Sequence, residues 1–257
     1  SIISNGEFSG KTLAQYIETV GKQVIGTKAP KDKDFPILIK FIDAKQSLSV
    51  QVHPDDKYAL LHEGESGKTE MWYVMDATPD ATLIYGFTHE ISHQEFERRI
   101  KDNTLLEVCN QVPIKKGDVF FIEAGTLHAI GAGALIAEIQ QSSNSTYRVY
   151  DYGRVGKDGK LRELHIEKAL AVTKLEPPTR KPEPIAKLTA FADYDLTILA
   201  QCELFNVSHF DLHGNCSLNA KKDSFHSILV LDGQIALTYG NDSFTITKGE
   251  SVFIPAD

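Results

Sequence analysis

The sequence predicts a mainly β protein, a sandwich or barrel with a few helices as decoration. Three observations lead there: many short apolar or alternating runs bounded by turn residues, few helical periodicities, and one local motif that occurs twice. The runs fall at 48–53, 70–75, 82–87, 119–123, 134–140 and 147–152, then at 197–202, 204–212, 228–231, 234–239 and 243–246. Short strands at this spacing are the pattern of stacked or closed sheets. The motif is Lys116-Gly117-Asp118-Val119-Phe120-Phe121-Ile122, matched by Lys248-Gly249-Glu250-Ser251-Val252-Phe253-Ile254. Both copies place Lys-Gly-acid ahead of an apolar strand, which points to a repeated barrel.

Taken along the chain, Leu13, Tyr16, Ile17 and Val20 form one apolar stripe at helical spacing, so the segment after Lys11 should be a helix packed on the sheet. A second helix is expected from Asp55/Asp56 through Leu61. A third begins at Ser92, where Ser92-x-x-Glu95 has capping-box form and Phe96 with Ile100 supplies the buried face. A fourth covers 163–172. Residues 176–184 then hold four prolines in nine positions, which neither helix nor central strand accepts. This reads as a linker over 176–188, dividing a domain at 1–175 from a smaller β domain at 189–257. Within the latter, Asp232-Gly233 and Gly240-Asn241 each separate alternating runs at hairpin distance, so those strands should pair as antiparallel neighbours.

Composition narrows the class. The chain has 257 residues, 42% of them hydrophobic, which excludes intrinsic disorder. No run approaches the ~18 apolar residues of a membrane span. With 27 Lys+Arg against 35 Asp+Glu the net charge is −8, and the cations are scattered, so nucleic acid is not an expected partner. Cys109, Cys202 and Cys216 are odd in number and lack metal or CxxC spacing, so they read as reduced thiols of a cytoplasmic protein. The first ten residues, SIISNGEFSG, have neither the basic nor the apolar region of a secretion leader.

The chemistry is sought where polar residues share a face. In Leu48-Ser49-Val50-Gln51-Val52-His53, strand alternation puts Ser49, Gln51 and His53 on one side, so an amide oxygen and an imidazole point the same way. A solvent-facing strand would show the same alternation. Glu70 opens another strand, and His128 follows the Gly-containing turn 123–127, where a tight reversal can aim an imidazole back into a barrel mouth. Gln51, His53, Glu70 and His128 together would suit zinc, or manganese or iron by ligand type alone. Trp72 shares the Glu70 face and reads as barrel packing. Lys40 alone reads equally as an edge-strand charge, and Glu138 with Arg148 as a cross-strand ion pair.

The strings SVQVHPDD, GKTEMWYVMD, GTLHAIGAG, EIQQSSNSTYRVYDYGR and RELHIEKAL resemble the type I mannose-6-phosphate isomerases, in their shorter bacterial branch. The resemblance covers about residues 1 to 257. It implies two cupin-like jelly-roll barrels, the first metal-bearing and the second degenerate, and a zinc-dependent exchange of D-mannose 6-phosphate and D-fructose 6-phosphate. It carries the metal ligands to Gln51, His53, Glu70 and His128, with one Zn2+ per chain. It places Lys40 and Lys68 along the pocket, matches Glu138 and Arg148 to the family's acid and arginine, and gives Arg148, Lys68 and Glu138 catalytic roles. Phosphate would be received by Lys40, Lys68 or Arg148. Where the longer branch has a histidine directly before the pocket lysine, this sequence has Gly67. Family members also extend upstream of Ser1 and beyond Asp257, so both ends read as truncated.

Aldose–ketose exchange moves a proton between C2 and C1 through an enediolate, and a metal with preorganised cations would stabilise its charge. His165 is expected to order the helix over the pocket. Two rivals remain on sequence grounds: an iron-dependent cupin oxygenase, since His53, Glu70 and His128 alone make a 2-His-1-carboxylate set, and a non-catalytic sugar-phosphate-binding cupin.

Overall fold

The computed structural model describes residues 1–30 and 35–257. Its elements in chain order are α1 (Leu13–Val20), β1 (Ile37–Asp43), β2 (Val50–Val52), α2 (Asp56–His62), β3 (Glu70–Ala77), β4 (Thr82–Phe87), α3 (His93–Lys101), β5 (Cys109–Pro113), β6 (Val119–Ile122), β7 (His128–Ile130), β8 (Ala134–Gln141), β9 (Tyr147–Tyr150) and α4 (Ile166–Val172). There follow β10 (Thr189–Ala190), β11 (Tyr194–Gln201), β12 (Asn206–Leu212), β13 (His226–Leu229), β14 (Gln234–Tyr239), β15 (Asp242–Thr247) and β16 (Ser251–Ile254). The protein is mainly β, as its sequence predicts.

Contacts divide the chain into two compact units, Ile37–Gly214 and Ser1–Pro36 with Asn215–Asp257. In the larger unit two antiparallel sheets face each other, one in the order β1-β8-β3-β6 and one in the order β5-β4-β7-β2-β9. Alternation assigns each strand two faces. Trp72, Val74, Phe120, Ile122 and Ile136 of the first sheet meet Leu83, Tyr85 and Ile130 of the second across the barrel interior. The outer face of the second sheet, with Val50, Val52, Phe87, Ala129 and Val149, is covered by Phe96 and Ile100 of α3 and Ala169 of α4. The outer face of the first, with Met71, Val119, Phe121, Ala137 and Ile139, is covered by Leu199, Ala200 and Val207 of β11 and β12 and by Phe205 between them. Burial of both faces explains why β6 reads as an unbroken apolar run.

The division therefore falls elsewhere than the proline-rich segment. Residues 176–188 contain no helix or strand, as expected, but the amides of Ile185 and Ala186 approach the carbonyls of Leu199 and Ile198 at 3.4 and 3.3 Å, so the segment lies along β11. The stripe of α1 holds as far as Ile17. The sheet it meets is the C-terminal one: Ile17, Val24 and Ile25 cluster with Phe225 and Phe253. Thr12 caps α1 in a full capping box with Gln15. Ser92 caps α3 with only half of one, because Glu95 turns its carboxylate to Arg99 at 2.8 Å.

The hairpin at Gly240-Asn241 forms as predicted, with Tyr239 opposite Asp242. The one at Asp232-Gly233 does not. There β13 pairs with β16 and β14 with β15, and the Gly233 carbonyl instead accepts from Lys248 N at 3.0 Å. Turn residues fix a local reversal; they do not choose which strands pair across it. β5 and β7 lie outside the predicted runs. The first is an edge strand ending in Pro113, and the second has only three residues between two glycine-containing turns.

Candidate metal centre

The site lies at the interior of the larger barrel, where four strand segments bring polar residues onto inward faces. Val50 and Val52 face the outer core, so Gln51 between them faces in, opposite His128 on β7 and Arg148 on β9. His53 follows β2, and its carbonyl accepts from Gly125 N at 2.8 Å, which ties the turn preceding His128 to the strand carrying the other histidine. Glu70 opens β3 between Gln140 on β8 and Ile122 on β6.

His53, Glu70 and His128 are buried and present ligand atoms within 4.8 Å of one another. Glu70 Oε1 lies 2.7 Å from His53 Nε2 and 3.3 Å from His128 Nε2. The protons of both rings are elsewhere. His53 Nδ1 donates to the Ser145 carbonyl and His128 Nδ1 to the Thr126 carbonyl, each at 2.8 Å, and a carbonyl can only accept. Both Nε2 atoms therefore turn lone pairs toward a carboxylate oxygen, and His53 Nε2 and Glu70 Oε1 have no hydrogen-bond partner. Buried acceptors facing one another repel unless a cation lies among them, so the donor set fits a metal ion. The Gln51 amide lies 3.4 Å from His128 Nε2 and can add an oxygen by presenting its other end.

Electrostatics agree. Burial lowers the His53 pKa to about 3 despite Glu70, so its ring is neutral and able to coordinate at neutral pH. Burial opposes ionisation of Glu70, yet its neighbours, the Lys68 cation among them, outweigh it and hold the carboxyl well below its ordinary value. Lys68 is itself buried, with Nζ 3.7 Å from Glu70 Oε1.

Of the remaining sequence candidates, Lys40 lies opposite Glu138 in the β1–β8 register and pairs with it at 2.8 Å, and also donates to Gln140. Lys40 stands on an edge strand, as its plain reading expects. Glu138 is buried, and burial with the nearby Glu70 raises its pKa to about 7. It does not pair with Arg148, because β8 and β9 belong to different sheets. Arg148 donates to the Glu163 carbonyl at 2.9 Å, while its buried Nε has no partner. His165 precedes α4 and accepts from Arg148 N at 3.1 Å, so it joins the helix start to the strand. A Cβ on Gly67 would come within 2.3 Å of the Asp55 carbonyl carbon, so the chain there passes too close to α2 for a side chain.

Trp72 makes contacts at the site that sequence reasoning missed. It fills the core as expected, but its indole N–H also donates to Glu70 Oε2 at 3.2 Å and to Glu138 Oε2 at 3.1 Å. The available signal was its inward register beside Glu70, since a buried indole N–H needs an acceptor.

Facing antiparallel sheets around a buried His-Glu-His set define a cupin with a candidate metal centre. Comparison with known proteins carries this further. The model of the phosphomannose isomerase type I catalytic domain matches residues 1–83, and that of the mannose-6-phosphate isomerase cupin domain matches 195–257. Mannose-6-phosphate isomerase ManA of Bacillus subtilis is 39% identical over 256 residues, covering 99% of this chain and 79% of the relative. The mannose-6-phosphate isomerase of Streptococcus mutans is 37% identical, covering 99% and 78%. The crystal structure of the Bacillus subtilis mannose 6-phosphate isomerase superposes with a TM-score of 0.90 at 35% identity, over 100% of this chain and 80% of that one. The chain belongs to the type I phosphomannose isomerase family.

Proposed function

We propose that the chain interconverts D-mannose 6-phosphate and D-fructose 6-phosphate with one zinc ion held by Gln51, His53, Glu70 and His128, in the cytoplasm. The observation that carries this is the convergence of two buried imidazole nitrogens on a buried carboxylate oxygen, with His53 Nε2 and Glu70 Oε1 lacking any hydrogen-bond partner, inside a barrel of an isomerase family. Neutral imidazoles, a carboxylate and an amide oxygen are zinc donors of ordinary type. Three free thiols fit a reducing compartment.

When bound, zinc supplies Lewis acidity toward the sugar oxygens at C1 and C2. The chain's own groups do the rest. A proton must leave C2 and return to C1 through an enediolate, and our reading gives its transfer to Lys68 or Glu138, both neighbours of Glu70. Arg148 shares the inward register of Gln51 and His128 and adds fixed positive charge where the enediolate oxygens become negative. Lys40, Lys68 and Arg148 are the cations available to the phosphate, whose binding holds the reacting carbons in place.

The test is bound metal measured together with isomerisation of mannose 6-phosphate, before and after chelation. Activity and zinc should be lost and restored together. Full activity in metal-free protein would refute the metal reading, and oxygen consumption in place of isomerisation would favour the iron oxygenase. Arg148→Lys should lower kcat/KM by ~10²–10³-fold, the range for loss of a stabilising donor; an unchanged value would remove Arg148 from the mechanism.

A further inference from the structure

We propose that Trp72 is a positioning residue of the metal centre: its indole N–H is the shared donor that fixes the outer oxygen of Glu70 and links that ligand to Glu138. The inference rests on the metal reading given above. Glu70 has two oxygens in different surroundings. Oε1 faces His53 and His128 with no donor, whereas Oε2 receives the Trp72 N–H at 3.2 Å. A carboxylate pinned through one oxygen cannot rotate freely about its last torsion, so the other keeps its lone pairs aimed between the two imidazoles. Lys68, 3.7 Å from Oε1, is too distant to fix the group by a hydrogen bond.

The indole reaches further than one ligand. Its ring meets the His128 ring edge to face, with centroids 5.3 Å apart, so the same side chain limits how a second ligand can tilt. It also donates to Glu138 Oε2 at 3.1 Å, and Glu138 is in turn held by Lys40. One proton is thus divided between two buried carboxylates, one among the ligands and one at the pocket wall. The register places it there: Trp72 lies two residues after Glu70 on the same face and directly opposite Glu138. Phenylalanine would fill the space and supply no proton, leaving both outer oxygens without this donor.

The experiment compares zinc affinity of wild type and Trp72→Phe by competition with a chromophoric chelator, alongside thermal unfolding of the metal-free proteins. Affinity should fall ~10–100-fold, the range for loss of a partner that orients a ligand, over and above whatever the two unpaired oxygens cost in metal-free unfolding. Wild-type affinity in Trp72→Phe, or a loss of metal-free stability alone, would overturn the proposal and return Trp72 to packing. Since Trp72 is the single tryptophan of the sequence, intrinsic fluorescence of the unaltered protein reads this indole and decides the matter even if the variant does not fold. Zinc should change its emission with the midpoint found by competition; an emission indifferent to bound zinc would count against the proposal. Wild-type protein that takes up no zinc overturns the metal reading itself, an outcome distinct from tight binding that Trp72→Phe leaves unaltered.

Discussion

The two copies of the Lys-Gly-acid motif set one turn in two surroundings. Gly117 N donates to the Val74 carbonyl at 2.8 Å and Val74 N to the Asp118 carbonyl at 2.9 Å; the same bonds join Gly249 to Val230 at 2.9 Å and Val230 to Glu250 at 3.1 Å. The acids act alike, Asp118 accepting from Lys115 N at 2.9 Å and Glu250 from Thr247 N at 2.7 Å. Strand register follows: Tyr73 opposite Val119 corresponds to Leu229 opposite Ser251, and Glu70 opposite Ile122 to His226 opposite Ile254. His226 therefore stands where Glu70 stands. Its Nε2 is 3.2 Å from the Asn219 carbonyl, and the His-Glu-His group forms only in the larger unit among the described residues. Turn and pairing belong to the scaffold; the chemistry depends on what the inward faces meet.

The strongest way to break this comparison is to remove both corresponding side chains. Glu70→Ala should abolish metal retention and isomerase activity together, because it deletes the carboxylate between the two histidines. His226→Ala should retain both, as metal analysis and a coupled assay would read. Comparable loss in the two variants would mean that the C-terminal copy takes part in the chemistry. A smaller effect separates the packing. Phe121 and Phe253 occupy the same register position, but Phe121 is buried under Phe205 and the Arg180 guanidinium while Phe253 is half-buried. Phe121→Ala should cost ~3–5 kcal/mol, as for a fully buried phenylalanine, and Phe253→Ala less. Denaturant unfolding of the metal-free protein measures both, with each variant shifting the transition of its own unit.

The same contrast explains what the sequence could reveal. Inward aim of Gln51 was legible because valines on either side mark the opposite face, and α1 because its stripe has one period. The resemblance supplied the convergence of Glu70 and His128 with that strand, which alternation alone left open against a solvent face. Pairings between distant positions were not legible: Lys40 with Glu138 spans 98 residues, and α1 meets Phe253 from the other end of the chain. A proline-rich segment marks where regular structure stops, but it does not tell which sheet β11 will cover. Trp72 shows the limit most clearly. Periodicity gives its face and its burial, while the acceptors it meets depend on two carboxylates, one of them 66 residues away.

The finest test of the repeat lies in the turns themselves. Gly117 and Gly249 have φ of +94° and +87°, and a Cβ on either would meet no atom within 4 Å. An alanine at these positions therefore costs only backbone strain, ~1–2 kcal/mol for an L-residue forced to positive φ. If the turn is a property of the scaffold, Gly117→Ala and Gly249→Ala should destabilise their units by similar amounts, although one lies beside a buried barrel strand and the other beside a half-exposed pair. Matched denaturation curves would support that equivalence. A large loss from Gly117→Ala with none from Gly249→Ala would mean that the C-terminal turn relaxes to negative φ, and that the repeat is enforced in the larger barrel by its packing and not by the turn.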